Sequence, residues 1–446
     1  FANVGVSIAT GARYLLNSSI AAKTVADVNT VAEIAELARI SEAVIAKAAD
    51  TGTLTAAELT TLGIVNANDV NMPLMNATVA RTVDTGSQVN SLSAVQTYMN
   101  KVHAIVQEAN GSAPDSTDAD PVYSDYSSII TATYMNNTQS FVNLMNDFVG
   151  TKTPADIDTI AELQAMGAIV KKIDPVVKGT GTIYAADLQA LGVNTSYDSS
   201  NLVRNFVDRM FALEPDDGST TDSIAELQAH MDAWSGAQAS IQAAAEANNA
   251  SSTITYATYL KTGTANVIEA NVASYNSSLD TAVMRNTDVD SLYYEFQTLV
   301  NSYNNILTIA NGSASDSGVG YNPISTNYDD IGVSGYLNPD GVVRIISTIS
   351  VNLLNDVIRN KTRDQVDTAA EIDALASAGM RILRHAGNYD LNPQVQDFVD
   401  IGITGVTTAN LSAILSSIDS GPDDGSAVDS LYEIQTLVNQ VNGVVI

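Results

Sequence analysis

The feature that most constrains this chain is that it repeats itself. Two unrelated motifs recur with one period, and a fold built from it has to accommodate the same local structure several times over. The first motif is Ser or Thr followed three residues later by Glu, leading into apolar residues at helical spacing. It appears as Thr30-Val-Ala-Glu33, Thr159-Ile-Ala-Glu162, Ser223-Ile-Ala-Glu226, Thr368-Ala-Ala-Glu371 and Ser430-Leu-Tyr-Glu433. This is a capping box: the hydroxyl accepts from an orphan amide of the first helical turn, and the Glu reaches back to the cap residue. Weaker copies begin at Ser91, where Ala94 replaces the acid, and at Ser291, where Glu295 arrives one residue late.

The second motif is an aromatic residue or Leu, an aliphatic three residues on, then Gly and another aliphatic, as in Phe398-Val-Asp-Ile401-Gly402-Ile403. It recurs as Phe1 with Gly5, Leu59 with Gly63, Leu188 with Gly192, Tyr259 with Gly263 and Tyr328 with Gly332. Tyr126 opens a further copy in which Ile130 stands where Gly is expected. These anchors interleave with the capping boxes, so each unit of about 66 residues reads as three helical elements. Element A is a long capped helix. Element B is a short helix stopped by the Gly in a left-handed conformation that other residues adopt only at a cost. Element C is a further amphipathic helix, such as Asn410-Leu-Ser-Ala-Ile-Leu-Ser-Ser-Ile. No period-two strand pattern competes with it.

The expected fold is therefore all-α: tandem three-helix repeats stacked as an elongated rod or solenoid, with a string of small helical bundles as the other arrangement. The boundaries that follow are a partial repeat at 1–29 (elements B and C), full repeats at 30–90, 91–158, 159–222, 223–290, 291–367 and 368–429, and a partial repeat at 430–446 (element A). A three-helix unit of this size buries little by itself, so neighbours have to extend its core.

Composition limits what such an array can meet. Twenty basic residues stand against 50 acidic ones, a net charge of −30, which repels nucleic acid and anionic membrane. Cysteine is absent, which removes disulfides, thiolate metal sites and cysteine nucleophiles. No apolar run approaches the length needed to span a bilayer. The chain opens on Phe1 rather than Met, as a processed end or an excerpt would.

Phe1-Ala-Asn-Val-Gly-Val-Ser aligns with Phe398-Val-Asp-Ile-Gly-Ile-Thr, so the sequence starts at element B and stops inside element A. Neither end carries the polar cap that usually finishes a solenoid. One reading is an excerpt of a longer array. Another is head-to-tail joining of copies, a heterologous contact that propagates into a filament, with Phe1, Val4 and Val6 meeting Leu431, Ile434, Leu437 and Val438. A discrete monomer with unusual ends is the third.

The stretches Val428-Asp-Ser-Leu-Tyr-Glu-Ile-Gln-Thr-Leu-Val and Phe398-Val-Asp-Ile-Gly-Ile-Thr-Gly-Val-Thr-Thr-Ala-Asn-Leu resemble helical repeats of very large secreted or surface adhesin-like proteins of bacteria. The resemblance covers essentially the whole chain, through short motifs. It implies an extracellular or cell-surface, stalk-like or matrix-forming role, and it carries no catalytic residues.

Catalysis finds little support. His103, His230 and His385 fall in A elements of different units, and no Gly-x-Ser-x-Gly elbow appears. Gly179-Thr-Gly-Thr lacks the length and the Lys of a phosphate loop. Acidic inter-helix loops are the candidate cation sites. In Glu214–Asp222 and Pro422–Asp429 the residues Asp216, Asp217, Asp222, Asp423, Asp424 and Asp429 offer hard oxygens suited to calcium, and Pro114–Asp120 is a third such loop. None has the EF-hand spacing; solvated turns are the competing reading. Glycosylation triplets occur at Asn17, Asn76, Asn110, Asn136, Asn194, Asn249, Asn276, Asn311 and Asn360. Expected partners are further copies of the chain, or a surface glycan or protein. The rival function is a helical scaffold that binds a peptide or glycan.

Overall fold

The computed structural model describes residues 1–111, 120–195, 201–281, 292–310, 322–333, 348–387 and 392–443. Among them every regular element is helical and there is no strand. The all-α class expected from the sequence is what the chain adopts.

The helices fall into two compact units, Phe1–Ser199 with Phe211–Met231, and Ser200–Met210 with Asp232–Ile446. The first holds α1 (Arg13–Ala21), α2 (Val31–Ala48), α3 (Ala56–Leu62), α4 (Met72–Val79), α5 (Leu92–Glu108), α6 (Tyr123–Ile129), α7 (Gln139–Gly150), α8 (Ile160–Val170), α9 (Ile173–Val177) and α10 (Ala185–Leu191). Two helices, α11 (Asn201–Phe211) and α12 (Ile224–Ala247), each contribute residues to both units. The second holds α13 (Ala250–Thr253), α14 (Tyr256–Lys261), α15 (Val272–Leu279), α16 (Leu292–Ile309), α17 (Ser325–Asp330), α18 (Thr348–Arg359), α19 (Ala369–Ala386), α20 (Val395–Asp400), α21 (Leu411–Asp419) and α22 (Leu431–Val441).

The long helices start where their caps put them. The hydroxyls of Thr30, Ser91, Thr159, Ser223, Thr368 and Ser430 each accept from the amide three residues on, at 3.2–3.3 Å. At Thr30, Thr159 and Thr368 the Glu completes the box by accepting from the cap residue's own N–H. Ser91 keeps its bond to Ala94 without any acid, so α5 begins normally despite its weaker motif. Ser291 lies outside the described residues. A second orphan amide is satisfied from far away in sequence: Leu92 N–H donates to Ser18 Oγ at 2.8 Å, Ile224 N–H to Asp147 Oδ2 at 2.9 Å and Ala369 N–H to Ser277 Oγ at 3.0 Å. Helix α8 is shorter than its sequence pattern implies. Pro175 has no N–H to give and the helix breaks before it, resuming as the single turn α9.

The glycine motif resolves into a helix stop. At Gly402 φ is +91°, Gly402 N–H donates to Val399 O and Ile403 N–H donates to Phe398 O at 2.8 Å. That is a Schellman ending, in which the residue after the glycine bonds back to the third residue before the cap and the two side chains pack together. The spacing of anchor, Gly and aliphatic is this hydrogen-bond pattern written in sequence. The bond back to the anchor recurs as Val6 to Phe1, Ile64 to Leu59, Val193 to Leu188 and Val333 to Tyr328. Ile130 is extended instead, at φ −107° and ψ 157°, and a 3₁₀ turn at Ala132–Tyr134 carries the chain onward.

Packing follows one scheme in each unit. Helix α5 lies against α1, α4, α6 and α7, and in the other unit α19 lies against α15, α18, α20 and α21. The first core is lined by fully buried side chains such as Leu15, Leu16, Ile40, Leu59, Met75 and Met99. In the second, one continuous cluster runs from Ile241 to Val438.

Candidate functional site

The acidic loops are built by local turns. In the first, Ser219 N–H donates to Asp217 Oδ1 at 3.0 Å and Gly218 has φ +72°. In the second, Ser426 N–H donates to Asp424 Oδ1 at 3.0 Å and Gly425 has φ +77°. The Ser219 amide and hydroxyl hold Asp217 below the usual carboxylate range, and the Ser426 hydroxyl and amide do the same for Asp424. Asp222 accepts from Asn143 Nδ2 at 2.7 Å, and Asp429 accepts from Asn352. Burial raises both of these acids, and each shares a hydrogen bond with the Glu of its capping box, Glu226 or Glu433, which raises it further. Asp217 and Asp424 thus serve their turns, while Asp222 and Asp429 face an asparagine and a glutamate. Among the described residues no group of three or more His, Asp or Glu side chains is gathered to hold a metal ion. Most of the loop beginning at Pro114 lies outside the described residues.

The histidines sit in separate helices, as the sequence places them. His230 Nε2 bonds Thr220 O at 2.9 Å while its Nδ1 lies 3.5 Å from Glu214. His385 lies 3.1 Å from Asp419. His103 Nδ1 lies 3.1 Å from Asn71 Nδ2.

The residues expected to join copies divide unevenly in burial. Val6, Leu431, Ile434 and Val438 are buried within the chain itself, the last three because α18 and α21 already cover the apolar face of α22. Leu437 is partly buried against the same core. Phe1 and Val4 are 38% and 49% exposed, whereas the corresponding anchors Leu59, Tyr126, Leu188, Tyr259, Tyr328 and Phe398 are all at 0%. Two of the glycosylation triplets are also closed: Asn76 and Asn276 spend their side-chain amides on Leu54 O and Ile254 O inside the fold. Asn311 lies outside the described residues.

Two recurring polar junctions escaped the sequence reading. The first joins a short helix to the amphipathic helix after it. Tyr126 Oη donates to Asn146 Oδ1 at 2.8 Å, and Asn146 Nδ2 donates to Pro121 O at 3.0 Å. Tyr259 with Asn276 and Ile254, and Tyr328 with Asn355 and Pro323, repeat the arrangement. Burial pushes the three phenols up, well clear of titration near neutrality. The second junction joins the loop after the short helix to the next long helix through a glutamine that brackets one peptide. Gln96 brackets Val65, Gln228 brackets Asn194, Gln297 brackets Ala265 and Gln435 brackets Thr404, each accepting from the N–H at 2.6–2.9 Å and donating to the C=O at 3.0–3.3 Å. Both junctions satisfy backbone groups that the turns leave unpaired.

No protein-family model, curated protein or solved structure matches this chain. Its function has to be argued from these surfaces and junctions. Among the described residues no helix is long and apolar enough to cross a membrane.

Proposed function

We propose that this chain is a structural array of tandem three-helix repeats, with the boundaries given by its capping boxes, that provides reach or spacing in an extracellular or surface assembly. The supporting observation is the recurrence of whole junctions. The glutamine bracket and the Schellman ending return together after Leu59, Leu188 and Phe398, the tyrosine–asparagine bond recurs at Tyr126, Tyr259 and Tyr328, and α5 and α19 meet the same kinds of neighbour. Repetition of that depth is what a quasi-one-dimensional array needs, because each module must present its neighbour with the same surface. The acidic exterior keeps such an array dispersed, and the resemblance to adhesin-like repeats supplies the setting.

The test is excision of residues 159–290, two repeats in this reading. The expected product remains folded and helical, and small-angle scattering gives a shorter maximum dimension. Loss of cooperative folding in the excised chain would remove the proposal.

Self-association belongs to the same reading. The 3₁₀ turn at Ala2–Val4 leaves Phe1 and Val4 open, whereas the anchors Leu59, Tyr126 and Phe398 belong to short helices resting on the preceding long helix. In this reading a long helix of a second copy, presenting Leu437 and the 75%-exposed Tyr432, packs against Phe1 and Val4. Sedimentation should show concentration-dependent end-to-end association that Phe1→Ser with Val4→Ser abolishes. A chain that stays monomeric at every concentration, or a variant that associates equally well, excludes this mode.

A further inference from the structure

One more polar cluster occurs beside the glutamine bracket, and one of its copies is built from a different side chain. In the copy near α22, Asn410 Nδ2 donates both to Gly405 O at 2.8 Å and to Asn442 Oδ1 at 2.7 Å. In the copy near α16, Asn271 Nδ2 donates to Asn304 Oδ1 at 2.7 Å, and Asn304 Nδ2 donates to Asn266 O at 2.8 Å. In the copy near α5, Asn71 Nδ2 donates to Asn66 O at 2.7 Å and lies 3.1 Å from His103 Nδ1. His103 thus stands where the other two junctions have the amides of Asn442 and Asn304.

The difference is chemical. The carbonyl of Asn66 can only accept, so it fixes Asn71 with its NH2 toward both partners. The nitrogen facing Asn71 must therefore be an unprotonated acceptor, which places the proton of the neutral ring on Nε2. An amide oxygen accepts at any pH, whereas an imidazole loses its acceptor when it takes up a second proton. Turning the Asn71 amide does not help, because its oxygen would then face Asn66 O.

We propose that His103 makes this one junction acid-labile: protonation sets an N–H against the Asn71 NH2 and frees the loop after α3 from α5. The other two histidines face acids instead of an amide NH2, His230 beside Glu214 and His385 beside Asp419. The charged groups on the elements packed around His103 are Asp69 in the loop, Lys101 and Glu108 on α5, Arg13 on α1, Asp125 on α6 and Asp147 on α7. Helix α4 carries none. Lys101 is committed to Ser124 O and Ser128 Oγ, Asp125 to the Val122 amide and Asp147 to the Ile224 amide. Asp69, Glu108 and Arg13 add to the local field, while the donor facing Nδ1 decides the geometry.

The three junctions supply their own controls. Hydrogen exchange at the Val65, Ala265 and Thr404 amides, each held by the equivalent glutamine, should be measured at pH 7.5 and pH 5.5 and corrected for intrinsic rates. Protection at Val65 should fall about tenfold, the loss of one hydrogen bond's worth of stabilisation, while Ala265 and Thr404 hold theirs. His103→Asn, which installs the side chain used at the other two junctions, should make Val65 follow them. Equal protection at Val65 at both pH values, or a fall that persists in His103→Asn, overturns the proposal. Nitrogen shifts of the wild-type ring give a second reading that needs no variant: a proton on Nδ1 at pH 7.5 overturns it too, and one on Nε2 supports it. The proposal does not depend on the structural role argued above.

Discussion

The junctions at Leu59 and at Tyr126 do the same work with different atoms. At Leu59, Asn76 accepts from the N–H of Leu54 at 2.8 Å and donates to the C=O of the same residue at 2.9 Å. At Tyr126 the corresponding backbone residue is Pro121, which has a carbonyl and no N–H, so Asn146 would have an oxygen without a donor. The tyrosine hydroxyl supplies it. Pro323 with Tyr328 is a second instance. At Tyr259 the backbone residue is Ile254, whose N–H is already spent on Ala250 O, and again the phenol takes over. A buried asparagine thus demands one donor and one acceptor, and the anchor is Leu or Tyr according to whether the backbone can give the donor.

This comparison is open to direct attack. Asn146→Ala removes the partner of both Tyr126 Oη and Pro121 O in a buried site and should cost about 3 kcal/mol in chemical denaturation. A loss below about 1 kcal/mol means that water serves these groups as well as the asparagine does. A sharper test converts one junction into the other. Leu54→Pro should cost about 2 kcal/mol by stripping Asn76 of its donor, and adding Leu59→Tyr should recover about 1 kcal/mol of that, read as coupling in a double-mutant cycle. Zero coupling would mean that the two side chains are unrelated. Tyr126→Phe should cost about 1.5 kcal/mol, because Pro121 leaves Asn146 Oδ1 no other donor there.

Legibility in the sequence divides along the length of the interactions. The cap at Thr368 and the stop at Gly402 are local: four to six consecutive residues contain both partners, so the motif is the structure. The helical class, the helix starts and the glycine ends were readable for that reason. The asparagine junctions join residues 17, 20 or 27 positions apart, through a loop whose length varies, and half of each bond is to a backbone carbonyl that has no sequence signature. The one available signal was proline five residues before a tyrosine anchor, at Pro121 and Pro323, with leucine at Leu54 where the anchor is Leu59. The burial of Leu431, Ile434 and Val438 was missed for a similar reason. An apolar stripe on a terminal helix shows that something covers it, and not that α18 and α21 already do.

The same two junctions also differ in how their short helices end. Gly63, at φ +103°, allows Ile64 N–H to return to Leu59 O, whereas Ile130 sends the chain out extended after Tyr126. Gly63→Ala should cost about 1 kcal/mol, since alanine reaches that φ only with strain. The measurement is a shift in the urea midpoint at unchanged slope. No loss would mean that the loop relaxes into the Ile130 route.

The smallest expected effect separates the phenol junctions from the acid pairs at the helix starts. Asp222, Asp367 and Asp429 each lie beside the Glu of a capping box, and burial with that neighbour raises all three above the ordinary carboxyl range. A group raised in the folded state stabilises below its unfolded pKa and loses that contribution as pH climbs through the folded one. Acids lowered in the fold, such as Asp27 and Asp156 held by Thr24 and Thr153, lose their contribution only below about pH 4. Between pH 7 and about pH 5 the raised acids therefore dominate the carboxyl contribution, and in the His103→Asn chain, which lacks the acid-labile junction, acidification should raise the melting temperature. Because the acid pairs are largely solvated, Asp367→Asn at pH 7 should stabilise by only a few tenths of a kcal/mol. The phenols stay protonated throughout that range, so the deficit of Tyr126→Phe should be equal at pH 7 and pH 5. A deficit that shrinks on acidification would tie the phenol junction to the acids and end its independence.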